Sequence, residues 1–216
     1  MSRDAGCYSP IATHSLLYRG KMKASALPDF YQITPEPIDP PHFDTFLRQL
    51  AATLEAGIQL VQLRAKHLEK HDHLNLARRT RDLCRQHGAM LMLNGPIEMA
   101  VEIGCDGVHL NSHALMSLKE PPAHDAMLVS AACHSAGQLA QANKIGADFV
   151  TLSPVLPTRT HPDATPLGWQ HFGQLVAGSR VPVFALGGMT PALLDEARKA
   201  GAWGIAAISA GWRGDA

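Results

Sequence analysis

The stretch LEAGIQLVQL, residues 54–63, joins the end of a helical pattern to an apolar run through a single glycine. Glycine readily takes the left-handed conformation that ends a helix, and the run after it has the composition of a buried strand. The same order of helix end, glycine and strand returns in three further stretches, which are VEIGCDGVHL (101–110), NKIGADFVTL (143–152) and RKAGAWGIAA (198–207). The repeat predicts that one supersecondary unit recurs along the chain.

The intervals between these glycines each have room for one more strand and one more helix. The additional strand candidates bring the total to eight, and they are FYQIT (30–34), AMLMLN (89–94), MLVSAAC (127–133) and VPVFALG (181–187). Helical patterns lie between the strands, at Phe43–Ala56, Leu68–His87, Ile97–Ile103, Ala136–Ile145, His171–Val176 and Pro191–Ala200.

Strands that are apolar throughout, each followed by a helix, are typical of a parallel sheet covered by helices. Eight such units in about 190 residues predict an α/β fold, a single-domain (β/α)8 TIM barrel over residues 29–216. The alternative is an open doubly wound sheet, but no GxGxxG motif follows the first strand. Residues 1–28 show no sustained period, so we expect a tail or linker there.

The overall charge excludes some classes of function. The chain has 19 basic and 19 acidic residues, which leaves no electrostatic reason to bind nucleic acid or an anionic membrane. No apolar run is long enough to span a bilayer, and the N-terminus lacks the layout of a secretory signal. The four cysteines are scattered without a CxxC motif. These features predict a cytoplasmic protein.

In a barrel of this kind the chemistry lies at the carboxyl ends of the strands. The second strand ends in QLRAK, where Gln62, Arg64 and Lys66 alternate and therefore point the same way. Two cations and an amide on one face suit a phosphate or carboxylate, although a solvated strand exit would show the same pattern. Asn94 ends the third strand and Ser130 lies on the fifth, so both are further candidates for substrate contact.

The last strands suggest a phosphate site. Gly187 and Gly188 follow the seventh strand and allow the backbone to approach a ligand closely, and Ser209 follows the eighth. Barrels commonly bind phosphate at these two strand ends through free backbone amides. The stretch LSPVLPTRTHPDATPLGW, residues 152–169, is longer than a connection requires. We expect it to cover a small phosphorylated substrate.

Several motifs together resemble the thiamine phosphate synthase and thiazole tautomerase (TenI-type) superfamily from about Tyr31 to Ala210. They are FYQITP, QLRAK, LMLNG, DGVHL, CHS, ALGGMTP, GIAAISA and the long stretch at 152–169. The resemblance implies that Thr158 and Thr160 hold the phosphate of a thiazole phosphate, together with Gly188 and Ser209. It also implies that Gln62, Arg64, Lys66 and Asn94 face a pyrimidine diphosphate or its equivalent.

The chain departs from the synthase pattern at the residues that the resemblance assigns to magnesium. Gly95 stands where the synthase has a carboxylate after the third strand, and HLNSHAL offers no acidic residue after the fourth. His161 stands where the family has a lysine. Magnesium prefers oxygen ligands, so these replacements predict weakened synthase chemistry and no metal ligand set.

The tautomerase branch of the superfamily lacks the metal and moves a proton with a histidine at the end of the fifth strand. That position is His134, a side chain suited to proton transfer near neutral pH, although it could equally bond to local backbone. Arg64 or Lys66 would hold the substrate carboxylate. The first hypothesis is therefore a metal-independent thiazole tautomerase that requires no cofactor.

Two alternatives stay open. One is thiamine phosphate synthase itself, which joins hydroxymethylpyrimidine diphosphate to thiazole phosphate, releases pyrophosphate and would use magnesium. The other is a thiamine-pathway binding module without turnover. The stretch KASALPDFYQITPEP, residues 23–37, is similar to linkers that join such barrels to Nudix hydrolases, so a Nudix domain is one expected partner. Barrels of this size often pair through helices, which makes a homodimer another expectation.

Overall fold

The computed structural model describes residues 27–122, 127–158 and 163–214. Most of the predicted tail, residues 1–26, lies outside this part of the chain, so the tail or linker at residues 1–28 stays a prediction. Within the described part, strands and helices alternate as the sequence repeat predicts.

The chain contains eight strands and seven α-helices in the described residues. The strands are β1 Phe30–Ile33, β2 Leu60–Arg64, β3 Met90–Asn94, β4 Gly107–Leu110, β5 Leu128–Cys133, β6 Phe149–Leu152, β7 Val183–Leu186 and β8 Gly204–Ala207. The α-helices are α1 Phe43–Glu55, α2 Lys70–Gln86, α3 Ile97–Ile103, α4 Ser112–Ser117, α5 Ala136–Lys144, α6 Gly168–Val176 and α7 Leu194–Lys199. Short 3-10 helices at Pro40–His42 and Pro191–Leu193 lead into α1 and α7.

The strands form a closed parallel barrel in the order β1 to β8. β1 pairs with β8 as well as with β2, with Tyr31 opposite Ala206 and Gln32 opposite Val61. This closure confirms the predicted (β/α)8 TIM barrel, and the open doubly wound sheet was the wrong alternative.

The repeated glycines end helices as the sequence predicts. Gly104 follows α3 with φ 72° and ψ 44°, and its backbone N–H bonds to the carbonyls of Ala100 and Val101. A left-handed residue with a side chain would be strained there, whereas glycine is not. The short helix α4 was not predicted, because six residues give too few turns for a helical period to be recognised.

An aromatic plug fills the amino-terminal half of the barrel. Tyr31, Phe149 and Phe184 are fully buried, and their rings meet edge to face at centroid distances of 5.4–5.8 Å. β1 and β6 are not neighbours in the barrel, so the contact between Tyr31 and Phe149 crosses the interior. Edge-to-face aromatic pairs are favourable beyond the area that they bury. Above the plug, the barrel interior opens at the carboxyl ends of the strands.

The outer surface of the barrel packs against the helices through aliphatic side chains such as Val61, Leu63, Val108 and Val150, all fully buried. No helix in the described ranges combines the length and the apolar character that crossing a membrane requires.

Candidate active site

A cavity of about 490 Å³ opens at the carboxyl ends of the strands. On three strands, a residue that lines the cavity comes two positions after a residue of the plug. These pairs are Tyr31 and Ile33, Phe149 and Thr151, and Phe184 and Leu186. Because side chains alternate along a strand, this spacing places them on the same interior face, one layer higher. The cavity therefore rests directly on the plug.

Seven of the predicted site residues meet around this cavity: Gln62, Arg64, Lys66, Asn94, His134, Thr158 and Gly187. These residues come from five different strands or the segments that follow them, so the barrel brings together what the sequence separates.

A carboxylate that the sequence analysis missed pairs with the Arg64 guanidinium and with the backbone of Lys66 at the rim. Glu36 Oε2 lies 2.9 Å from Arg64 Nη1, and Glu36 Oε1 accepts a hydrogen bond of 2.6 Å from the backbone N–H of Lys66. Both charged side chains are largely shielded, at 10% and 19% exposed for Glu36 and Arg64. The signal was available, because Glu36 follows β1 and so belongs to the same edge of the barrel. Arg64 is therefore partly neutralised before any anion arrives.

The backbone around Arg64 is also fixed by β1. The Arg64 N–H donates to Thr34 Oγ1 at 2.9 Å, and the Thr34 hydroxyl donates to the Arg64 carbonyl at 3.3 Å. This reciprocal pair ties the end of β2 to the residue after β1. The guanidinium is consequently held by both its backbone and its carboxylate partner.

Gln62 and Asn94 belong to a buried polar chain. Asn94 Nδ2 donates to Gln62 Oε1 at 3.0 Å, and Gln62 Nε2 donates to the Tyr31 hydroxyl at 3.0 Å. Burial raises the pKa of Tyr31 well above its ordinary value, so its hydroxyl stays protonated. Because Tyr31 is also part of the aromatic plug, the polar chain extends from the cavity into the plug.

His109 on β4 lines the cavity and was not chosen from the sequence as a site residue. Burial, and to a lesser extent the positive charge of Lys66, lower the pKa of His109 to about 3, which keeps the imidazole neutral. Its Nδ1 lies 2.9 Å from Ser130 Oγ. The DGVHL motif could have indicated His109 as a site residue, because a histidine within a buried strand needs a polar partner.

Ser130, predicted as a substrate contact, lies one layer lower than expected. It is fully buried and is absent from the residues that line the cavity, whereas Ala132, two positions later on β5, does line it. Its hydroxyl is used by His109 and by the Val108 carbonyl, at 2.9 and 3.3 Å. The prediction of direct contact is corrected because alternation on β5 puts Ser130 beneath the cavity floor.

His134 lies at the rim, and it both faces the cavity and bonds locally. Its Nδ1 is 2.9 Å from the Ser153 carbonyl, which can only accept, so Nδ1 carries the proton in the neutral ring. The Ser153 hydroxyl lies 3.2 Å from the same nitrogen. Nε2 then has a free lone pair, which is the form of histidine that can take a proton.

Thr151 is another residue that the sequence analysis missed. Its side chain is fully buried and lines the cavity, and its hydroxyl has no hydrogen-bond partner among the residues that the structure describes. A threonine within an apolar strand gives little signal, because β-branched residues are ordinary in strands.

The predicted phosphate site is only partly assembled. Gly188 and Ser209 are exposed and do not line the cavity. At Gly188, where φ is +70°, an added Cβ would come within 2.8 Å of Leu156 Cβ, so the glycine lets the segment after β6 pack closely. Thr160 and His161 lie outside the described residues, so their predicted roles remain predictions.

The residues around the cavity do not fit the magnesium ion that the resemblance implies for the synthase. Among the described lining residues there is no Asp or Glu, and no group of three potential metal ligands occurs in that part of the chain. At Gly95, an added Cβ would approach His73 Cε1 to 3.3 Å, a close contact. Asn111 Oδ1 is used to cap α4 by accepting from Ala114 N–H at 2.9 Å.

The chain was compared with known proteins. A family model described as thiamine monophosphate synthase matches residues 30–210. The putative thiamine-phosphate synthase 2 of Aquifex aeolicus is 34% identical over 183 residues, 85% of this chain and 97% of that protein. The putative thiamine-phosphate synthase of Geobacter sulfurreducens is 37% identical over 166 residues, 76% of this chain and 78% of that protein.

Other matches are longer or more distant. The thiamine-phosphate synthase of a Synechococcus strain is 33% identical over 77% of this chain, which spans only 48% of that protein. Among solved structures, a thiamine phosphate pyrophosphorylase from Pyrococcus furiosus superposes with a TM-score of 0.68 at 24% identity, covering 84% of this chain and 85% of that one. At that identity the superposition shows the shared fold.

Proposed function

The chain belongs to the thiamine monophosphate synthase family, and from that premise we propose that it is a thiamine-biosynthesis enzyme that joins hydroxymethylpyrimidine diphosphate to thiazole phosphate. The observation that carries the proposal is the convergence of Arg64, Lys66 and Thr158 on one cavity at the carboxyl end of the barrel. Cations and a hydroxyl of this kind bind phosphate oxygens.

One observation supports the transferase over the tautomerase that the sequence analysis put first. The relatives described above carry the name of the synthase. The cavity volume of about 490 Å³ lies within the range of about 300–1,000 Å³ that is usual for small-molecule sites, and it suits either reaction.

The proposed reaction is a substitution at carbon. The lone pair of the thiazole nitrogen forms a bond to the methylene carbon of the pyrimidine. The bond from that carbon to the diphosphate oxygen breaks, and its electron pair leaves with pyrophosphate. No proton is transferred, and the thiazole ring becomes a cation. Arg64 and Lys66 would stabilise the charge that grows on the departing oxygen.

Magnesium chemistry is not part of this proposal, because the described lining residues include none of the carboxylates through which proteins usually bind the ion. The leaving-group charge falls instead on the cations of β2 and the segment after it. Since Arg64 already pairs with Glu36, Lys66 carries the larger share.

Lys66→Met tests the transferase, since it removes the charge and keeps the length of the side chain. The assay measures pyrophosphate release with both substrates, with added magnesium and with a chelator. We expect the variant to lose about 10–100-fold in kcat/KM, from about 1.5–3 kcal/mol for a hydrogen bond to a charged group. Lys70→Met, at the exposed start of α2, is the matched control and should keep full activity. No pyrophosphate from the wild type at high enzyme concentration would refute the transferase.

A second candidate, the tautomerase, is favoured by one observation, the missing carboxylates of the cavity lining. His134 Nε2 would take a proton from one carbon of a carboxythiazole phosphate and return it to another, while Lys66 holds the carboxylate. His134→Ala should then abolish isomerisation and leave thiazole phosphate binding almost unchanged. His113→Ala, on the exposed side of α4, is the control. Equal isomerisation in wild type and His134→Ala would exclude this candidate.

The binding module without turnover gives a third outcome, in which thiazole phosphate binds but neither reaction occurs. The cytoplasmic location, the homodimer and the Nudix partner stay predictions from the sequence.

A further inference from the structure

Gln32 on β1 is fully buried and does not line the cavity. Its neighbours Tyr31 and Ile33 face the interior of the barrel, so by alternation Gln32 faces the layer between the strands and the helices. Its Nε2 donates to two backbone carbonyls, those of Ile33 and Ile208, both at 2.7 Å. Both partners can only accept, which identifies the donor atom as the amide nitrogen. Gln32 therefore ties β1 to the segment that follows β8.

The oxygen of the same amide makes no hydrogen bond. Gln32 Oε1 is fully buried and has no partner among the residues that the structure describes. It lies against Gly211, where an added Cβ would collide with it and would come within 2.7 Å of Phe30 Cε1. An unpaired buried acceptor is a cost to the folded state. What glutamine contributes here that an apolar side chain would not is the pair of bonds from Nε2.

The bond to Ile208 sets the direction of the next backbone amide. The Ile208 carbonyl and the Ser209 N–H belong to one trans peptide, in which the C=O and N–H groups point in roughly opposite directions. Since the carbonyl points toward Gln32 on β1, the Ser209 N–H points away from β1. β8 lies between β1 and β7 in the barrel, so the N–H is directed to the side where β7 ends.

Free backbone amides meet at the ends of β7 and β8. The N–H groups of Gly187, Gly188 and Ser209 make no hydrogen bond to any part of the chain that the structure describes. Gly187 is buried and lines the cavity, and Ile208 lines it next to Ser209. Buried backbone N–H groups are rarely left unpaired in folded proteins. Amides that are free at the edge of one cavity suit an anionic oxygen.

We propose that Gln32 is a positioning residue that turns the Ser209 amide toward the cavity edge, so that this N–H and that of Gly187 bind a phosphate group. Gln32 itself makes no contact with the ligand, because it lies on the outer face of β1. The ligand chemistry is a phosphate monoester. That it is the phosphate of thiazole phosphate rests on the proposed function.

The first test uses the wild-type protein and needs no substitution. In proton–nitrogen NMR spectra, titration with inorganic phosphate or thiazole phosphate should shift the Ser209 amide proton downfield, since the N–H then donates to an anion. The amide of Gly178, beyond the carboxyl end of α6, is the control and should not move. A Ser209 signal that stays in place at the highest ligand concentration would overturn the proposal.

Gln32→Met tests the positioning step, since it keeps the length of the side chain and removes both hydrogen bonds. By calorimetry, thiazole phosphate should bind about tenfold more weakly, the low end for one hydrogen bond to a charged group. The unphosphorylated thiazole alcohol should bind as it does to the wild type. A role in packing alone would weaken both ligands equally or neither, and either result would contradict the proposal.

Gln141→Met is the matched control. Gln141 Nε2 also donates to two backbone carbonyls, those of Leu115 and Leu118, at 3.3 and 2.6 Å, and it lies outside the cavity lining. The control variant therefore loses the same kind of bonds away from β8. It should bind both ligands like the wild type.

Gly211→Ala reaches the same contact from the other side and decides the matter if Gln32→Met does not fold. Its Cβ would displace either the Gln32 amide or the segment after β8, so we expect the same loss, confined to the phosphorylated ligand. Wild-type affinity for thiazole phosphate in this variant would count against the proposal. Failure of the proposed function is a separate result, because absent pyrophosphate release with an intact preference for the phosphorylated thiazole would refute the transferase alone.

Discussion

Thr151→Val should make the free protein more stable and bind its ligand less well. The Thr151 hydroxyl is fully buried and has no partner among the described residues, so the folded protein bears the cost of taking it out of water. Valine has nearly the same shape and replaces the hydroxyl by a methyl group. The neighbours across β5 and β7, Ala132 and Phe184, present no acceptor side chain.

The size of the effect follows from the buried hydroxyl. Leaving such a group unpaired costs about 1–3 kcal/mol, and we expect the substitution to recover about 1–2 kcal/mol of it. For a domain of this size each kcal/mol corresponds to about 2–4 °C, so the melting temperature should rise by about 2–8 °C. Because Thr151 lines the cavity, a ligand that bonds to its hydroxyl would lose that bond in the variant, and its binding should weaken about 2–10-fold.

Urea unfolding measures the first effect, and titration with thiazole phosphate and pyrimidine diphosphate measures the second. Thr80→Val is a matched control, because the Thr80 hydroxyl on α2 is also buried without a described partner but lies outside the cavity lining. It should raise stability in the same way and leave binding unchanged. A fall in stability of about 1 kcal/mol for Thr151→Val would refute the reasoning, since it would mean that the hydroxyl already makes a hydrogen bond.

Three other predictions concern charge, pH and backbone. Glu36→Gln removes the carboxylate that competes for Arg64, so calorimetry should show pyrophosphate binding at least about tenfold more tightly. A unit charge about 4 Å away contributes about 4 kcal/mol at an effective dielectric of 20. Unchanged affinity would contradict this prediction. The pKa of His109 is about 3 in the folded protein, below that of the unfolded chain, so the folded state loses stability as pH falls from about 6.5 toward 3. Over that range the folding equilibrium constant should fall about tenfold per pH unit from this group. Urea unfolding at several pH values should show that His109→Gln lowers the pH dependence of the unfolding free energy by the equivalent of one proton. Gly187→Ala should lower the free energy of unfolding, measured by chemical denaturation, by more than about 2 kcal/mol. The backbone φ there is +99°, and the added Cβ would lie 2.9 Å from the backbone of the segment after β6. As a control, Gly137→Ala on the open face of α5 should be neutral or stabilising.

The barrel could be predicted because its sequence signals are local. Each helix end, glycine and apolar strand lies within about ten residues. Four such stretches and eight strand candidates leave few alternatives for the fold. The strand ends Arg64 and Asn94 could be chosen for the same reason, since the fold alone says that they meet. The position of Ser130 could not, because one step of two residues along β5 decides whether a side chain lines the cavity or lies beneath it.

Glu36 and Tyr31 show a second limit. Glu36 neutralises Arg64 only because the segment after β1 turns toward β2, and Tyr31 joins the polar chain only because its ring crosses the barrel. Both depend on side-chain directions and strand register, which no local pattern specifies. The order of the two functional hypotheses followed from the missing carboxylates, which are visible in the sequence, whereas the relatives carry the name of the synthase.

The plug of Tyr31, Phe149 and Phe184 closes the barrel interior beneath the cavity. In the proposed transferase, both substrates would use the opening at the carboxyl ends of the strands, so they could not exchange places once both are inside. Whichever sits next to the aromatic layer has to load first, and the other has to depart before it. Steady-state kinetics should accordingly show a compulsory order of addition, in which the product that leaves last competes only with the substrate that binds first.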